Sequence, residues 1–143
     1  MRIVVLTLAD FASVREGLLN VMSGGVAFIG KQAFPAPMSC YLAALVEIEV
    51  GDDTSKISES ELPVVVDIAN SSGELIASAN GAFGGPGSIF GDPELPTAVP
   101  IALDLQGITL PTPDIYSLTM RVGGAAGDLA SALTFRAHEI PGI

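Results

Sequence analysis

Between Leu62 and Ala79 the alternation of apolar and polar positions is at its plainest: LPVVVDIA, then a polar Asn70-Ser71-Ser72-Gly73, then ELIASA. Period-two runs on either side of a polar, glycine-containing break predict a β-hairpin. Leu45 to Val50 interleaves Glu47 and Glu49 with Val46, Ile48 and Val50. Tyr116 to Val122 sets Tyr116, Leu118, Met120 and Val122 against Ser117, Thr119 and Arg121. Both predict half-buried strands with one solvent face. A strand is expected from Met38 through Val50, although the alanines of its first half also suit a helix. Further strands are predicted at Ala98–Leu105 and Leu129–Ala137, separated by the turns Gly107–Asp114 and Gly123–Asp128.

The N-terminal stretch Leu8 to Gly30 is the segment around which the rest is organised. Arg2 to Ala9 is rich in β-branched residues and alternates poorly, as in a strand covered on both faces. Asp10 to Gly17 (DFASVREG) predicts one turn of helix, capped by Asp10 or Ser13 and ended by Gly17. Leu18–Met22 and Val26–Gln32 then predict two strands joined as a hairpin at Ser23-Gly24-Gly25. Phe34-Pro35-Ala36-Pro37 stops pairing and marks a crossover, because proline brings no ladder donor. Gly51 to Glu61 is polar and acidic, hence a surface loop. Asn80 to Pro96 holds five glycines in its first twelve residues and prolines at 86, 93 and 96, which predicts a long irregular connection with apolar tips.

Short strands with turn signals between them and no long helical period describe one all-β domain over residues 1–143. The expected architecture is an antiparallel β-sandwich of about seven to nine strands with Greek-key connections. The run Pro111-Thr112-Pro113-Asp114-Ile115-Tyr116 resembles the way immunoglobulin-like and fibronectin-like domains begin their penultimate strand, although the Cys, Trp and Cys spacing of antibody domains is missing.

The chain as a whole resembles an uncharacterised family of small bacterial proteins. The resemblance rests on Leu8-Ala9-Asp10, Gly17-Leu18-Leu19-Asn20-Val21, Gly24-Gly25, Phe34-Pro35-Ala36-Pro37 and Leu110-Pro111-Thr112-Pro113-Asp114-Ile115-Tyr116. It covers nearly the full length and implies an all-β fold, but brings no activity and no functional residues. Asp114 stands where that pattern has glycine.

Charge narrows the partners. The net charge is −10 and the six basic residues (Arg2, Arg15, Lys31, Lys56, Arg121, Arg136) are scattered, so nucleic acid and anionic membranes are poor partners. Hydrophobic content is 49% with positive mean hydropathy, yet no window approaches the roughly 20 apolar residues of a spanning helix. MRIVVLTLAD has too short an apolar core and no cleavage site for a signal peptide, and is read as a first strand. The single Cys40 allows no internal disulfide, which fits a reducing cytoplasm.

Candidate chemistry is sparse. His138 is the only histidine; no Gly-x-Ser-x-Gly elbow accompanies it, since Pro86 sits where Ser88 would need glycine, and a surface position at a strand end is expected. Cys40 lies in an apolar strand with no neighbouring base, so a buried, inert thiol is expected. One Cys and one His cannot build a closed zinc site. The Gly81–Gly91 loop lacks the Lys-Ser/Thr ending of a phosphate cradle. Asp10 has no recognisable second acid and is read as a turn or cap residue. Glu47, Glu49, Asp52, Asp53, Glu59 and Glu61 form an acidic group without calcium-loop spacing, and a solvated acidic surface explains it.

The functional expectation is therefore a non-enzymatic, cytoplasmic sandwich without cofactor that binds protein, either itself as a homo-oligomer or a larger assembly. The alternative is a small-ligand or calcium-binding module using Asp52 and Asp53. Phe83, Ile89 and Phe90, on the Asn80–Pro96 connection, are the expected partner-binding residues, with packing back over the open end of the sandwich as the competing reading.

Overall fold

A computed structural model describes residues 1–49, 61–84, 94–123 and 129–142. Eleven strands are formed among them: β1 (Arg2–Arg15), β2 (Leu18–Gly24), β3 (Phe28–Lys31), β4 (Ala36–Pro37), β5 (Tyr41–Ile48), β6 (Glu61–Ala69), β7 (Leu75–Gly84), β8 (Thr97–Asp104), β9 (Thr109–Leu110), β10 (Asp114–Val122) and β11 (Leu129–Glu139). No helix occurs among the described residues, in keeping with the all-β expectation. One sheet has the order β2-β1-β5-β8, the second β3-β11-β10-β6-β7, and β4 pairs separately with β9. Each main sheet curls into a half-barrel, so the layers are less flat than a simple sandwich implies.

The alternating runs behave as their periodicity requires. On β10, Tyr116, Leu118, Met120 and Val122 are fully buried and face Val64, Val66 and Ile68 of β6 and Leu8, Leu42, Ala44 and Val46 of the opposing sheet in one apolar cluster. Tyr116 stacks on its cross-strand neighbour Phe135 with ring centroids 5.5 Å apart and an interplanar angle of 20°. The β6–β7 hairpin forms where Asn70-Ser71-Ser72-Gly73 predicts it. Asn70 Oδ1 accepts hydrogen bonds from the backbone of Ser72 (3.1 Å) and Glu74 (2.9 Å), and Gly73 supplies the positive φ of 81° that closes the turn.

The N-terminal segment departs from its sequence reading in two places. Asp10–Arg15 is strand, the continuation of β1, where a turn of helix is expected. Its residues pair with β2 across a two-residue turn at Glu16-Gly17, whose φ values of 54° and 74° are those of a type I′ hairpin. Cross-strand pairing with β2 overrides a weak helix preference that no apolar helical face supports. The glycines at 24 and 25 accordingly do not join two neighbouring strands. They carry the chain from the first sheet to the second, where β3 runs parallel to β11 in an otherwise antiparallel sheet.

The proline segment behaves as a crossover, returning the chain from β3 to β5 in the other sheet, with Ala36–Pro37 making a brief contact to β9 on the way. Asn80–Gly84, expected to be irregular, extends β7. Residues 51–60 and 85–93 of the two predicted loops lie outside the described residues.

Candidate functional site

β1 is fourteen residues long and changes partner midway. Arg2–Ala9 pairs with β5, while Ala9–Arg15 pairs with β2 alone, so the second half of β1 and all of β2 form a two-stranded ribbon at the edge of the first sheet. The base of the ribbon is tied down at Thr7, whose hydroxyl accepts the Gly25 N–H at 2.8 Å, and at Leu8, whose carbonyl accepts the Val26 N–H at 3.0 Å.

The apolar residues of the ribbon are not buried by that pairing. Alternation places Phe11, Leu18 and Met22 on the side away from the core and Ala12, Val14, Leu19 and Val21 on the other. Leu18 is 68% exposed, Met22 64%, Val14 45%, Phe11 41% and Val21 39%. Phe11 meets Tyr41 edge to face at 5.1 Å, so the outer stripe continues across β5. Exposed apolar side chains gathered on one element in this way mark interaction sites in soluble proteins.

The edge itself is unguarded. Folded proteins blunt edge strands with charge, proline, shortness or cover. Here β8 carries Pro100, and β3 is four residues long and ends in Lys31, while one face of β7 is approached by β8, the Leu103 side chain lying 3.1 Å from where a Cβ on Gly81 would stand. β2, LLNVMSG, has no charged residue and no proline in a chain of net charge −10.

Phe83 sits on β7 opposite Leu62, 9% exposed and within the core cluster, which is the folded-back arrangement and not an outward tip. Ile89, Phe90 and Ser88 lie outside the described residues. Of the acidic group, Glu47 and Glu49 share Arg2, which bonds Glu47 at 2.9 Å and approaches Glu49 at 3.4 Å; these carboxylates raise the guanidinium pKa. Asp52, Asp53 and Glu59 are outside the described residues, among which no three His, Cys, Asp or Glu side chains gather as metal ligands.

Cys40 is 3% exposed, and burial pushes its thiol up to about 11; the Asp10 carboxylate acts in the same direction and the Lys31 ammonium against it. It underlies a cleft of about 160 Å³ lined also by Asp10, Lys31 and Ser39, in which Lys31 Nζ donates to Ser39 Oγ at 2.8 Å. Asp10 is an exposed strand residue here, not the cap of a turn. His138, near the end of β11, is partly exposed and lies edge-on to Phe28, its Nδ1 buried without a partner. A shallower depression of about 430 Å³ lies between the β6–β7 turn and the start of β10.

At that start, Tyr116 donates its hydroxyl proton to the Thr112 carbonyl at 2.5 Å and accepts the Thr112 N–H at 3.4 Å. Asp114 accepts from the Ser71 hydroxyl (2.9 Å) and backbone (3.2 Å) and from Ile115 N–H (2.7 Å); these hydrogen bonds, that of the Ser71 hydroxyl foremost, hold its carboxyl below the ordinary 3.8.

The ribbon escapes a local reading because Asp10–Gly17 looks helical in isolation. The signal present in the sequence is Glu16-Gly17 between the two five-residue runs FASVR and LLNVM, a hairpin pattern with an uncommon first turn residue. No curated protein matches the chain. A family model does, over residues 4–136, and its extent is that of the two-sheet fold just described. The chain belongs to DUF6941, a family of unknown function.

Proposed function

We propose that this chain is a non-enzymatic, immunoglobulin-like Greek-key module that acts by binding protein, and that the β1–β2 ribbon is its binding element. The observation that carries the reading is the concentration of exposed apolar side chains, Phe11, Val14, Leu18, Val21 and Met22, on a ribbon whose edge strand β2 carries no charge. Burying such residues against a partner is favourable in proportion to the apolar area removed from water.

Strand order supports the immunoglobulin-like part. If β1, β5, β6, β8, β10 and β11 are strands A, B, C, E, F and G, the sheets contain A-B-E and G-F-C, an arrangement that lacks only strand D of a constant-type domain. The Tyr116 hydroxyl reaching back to Thr112 at the start of F corresponds to the tyrosine corner of such domains. A cytoplasmic setting is part of the proposal, supported by the single, free Cys40.

The test is association of the purified chain, with itself by light scattering and with cell extract by pull-down, compared with a Leu18→Ser/Met22→Ser variant. Both side chains are exposed, so the variant should keep its melting temperature and lose association. Retained association in the variant, or none in the unaltered chain, contradicts the reading.

A further inference from the structure

Resting on that reading of the ribbon, we propose that its occupant is the β2 strand of a second copy, paired antiparallel about a two-fold axis through Asn20. A type I′ turn at Glu16-Gly17 makes Arg15 and Leu18 a hydrogen-bonded pair, and alternation along the hairpin then fixes the rest. Leu18, Asn20 and Met22 bond to β1. Leu19, Val21 and Ser23 direct their N–H and C=O groups to the open edge.

A two-fold axis normal to the sheet keeps each face on its own side, so only registers centred on a residue are allowed. Centred on Asn20, the strand is self-complementary. Leu19 meets the second copy's Val21 in a hydrogen-bonded pair, Leu18 meets its Met22, and the two Asn20 side chains face each other. Centred on Val21 instead, Asn20 would oppose Met22, and Leu19 would oppose Ser23. The favoured register joins Phe11, Met22 and the second copy's Leu18 into one apolar row on the outer face, and Val14, Leu19 and the second copy's Val21 into another on the inner face.

Charge does not bar this occupant. Two molecules of net charge −10 repel, and β2 offers an approach with no carboxylate on it; the ribbon tip carries Arg15 and Glu16, one of each sign. A stable dimer buries about 800 Å² per partner, more than one seven-residue strand and its side chains supply, so the pairing is a reversible one with a Kd in roughly the micromolar range.

The experiment is sedimentation velocity of the full chain over a concentration series. A shift from monomer to dimer is expected. Val21→Pro should leave the monomer folded by circular dichroism, since its N–H faces the open edge, and weaken the dimer at least about tenfold by removing a ladder donor. Asn20→Asp should do the same by setting two carboxylates face to face. Asn20→Cys should oxidise to a covalent dimer, because non-hydrogen-bonded pairs bring Cα atoms to about 4.5 Å, within disulfide range. Ser13→Cys, one strand inward, should not. A chain that stays monomeric throughout, or a dimer that both Val21→Pro and Asn20→Asp leave intact, overturns the proposal. A photo-crosslinker at Met22 separates the two levels: a monomeric chain that crosslinks a different protein overturns this inference and leaves the ribbon reading standing, whereas a monomeric chain that crosslinks nothing overturns both.

Discussion

Tyr116→Phe removes one oxygen atom from a fully buried ring and leaves the stack on Phe135 in place. What is lost is the hydroxyl's bond to the Thr112 carbonyl at 2.5 Å and the weaker one it accepts from Thr112 N–H at 3.4 Å. Leaving a buried polar group unpaired costs about 1–3 kcal/mol. Thr112 is itself exposed, so water recovers part of that loss, and the expected cost falls to about 1–2 kcal/mol. For a domain of this size each kcal/mol corresponds to roughly 2–4 °C in Tm, giving a drop of about 2–8 °C. Tyr116→Ala, which also forfeits the ring's packing, should cost about 3–5 kcal/mol. Urea unfolding followed by circular dichroism reads both, and an unchanged m-value for Tyr116→Phe confirms that the native state is intact. If Tyr116→Phe is as stable as the unaltered chain while Tyr116→Ala is not, the hydroxyl does not hold the Pro111–Asp114 corner and only the ring matters.

Glu16 occupies a position of positive φ (54°) that asparagine tolerates better, so Glu16→Asn should raise stability by about 0.5–1 kcal/mol in the same assay, and a loss would contradict the type I′ assignment. Cys40 should resist thiol reagents at neutral pH. Because burial raises its folded-state pKa from 9.0 to about 11, the stability tied to its neutral form is complete below pH 9 and is lost as pH rises from 9 to 11, by about 1–2 kcal/mol after solvent screening. Cys40→Ala should flatten that alkaline slope, and an unchanged slope assigns it elsewhere. For Asp114 the sign is reversed: its folded pKa lies below 3.8, so its contribution is present above that value and is lost as pH falls through the folded pKa. Carboxyl NMR titration should place Asp114 below 3.8 and Ser71→Ala should move it back toward that value.

Those parts of the fold with a local cause were legible in the sequence. Asn70 and Gly73 close their hairpin with bonds inside the turn, and the alternation of Tyr116–Val122 states which side is buried whatever the partner. Parallel pairing of β3 with β11 joins residues separated by most of the chain, and nothing in Phe28–Lys31 records it. Phe83 reads as a loop residue because Gly81, Gly84 and Gly85 surround it, yet Gly81 is there to let Leu103 approach the backbone. Asp114, which breaks the glycine pattern of the resemblance, ties the start of β10 to the β6–β7 turn through Ser71. The ribbon was hidden for the opposite reason: its residues are short, mixed and weakly helical, and only the partner strand makes them extended.

Amide hydrogen exchange at Leu19 and Val21, followed by NMR as a function of protein concentration, tests the edge-pairing claim most directly. In the monomer both N–H groups face solvent and should exchange with little protection, while those of Leu18, Asn20 and Met22 are held by β1 at every concentration. Protection of Leu19 and Val21 should grow as the chain is concentrated and vanish in Val21→Pro at Leu19. Exchange at these two amides that stays fast and independent of concentration, in a sample whose Asn20 amide remains protected, would contradict it.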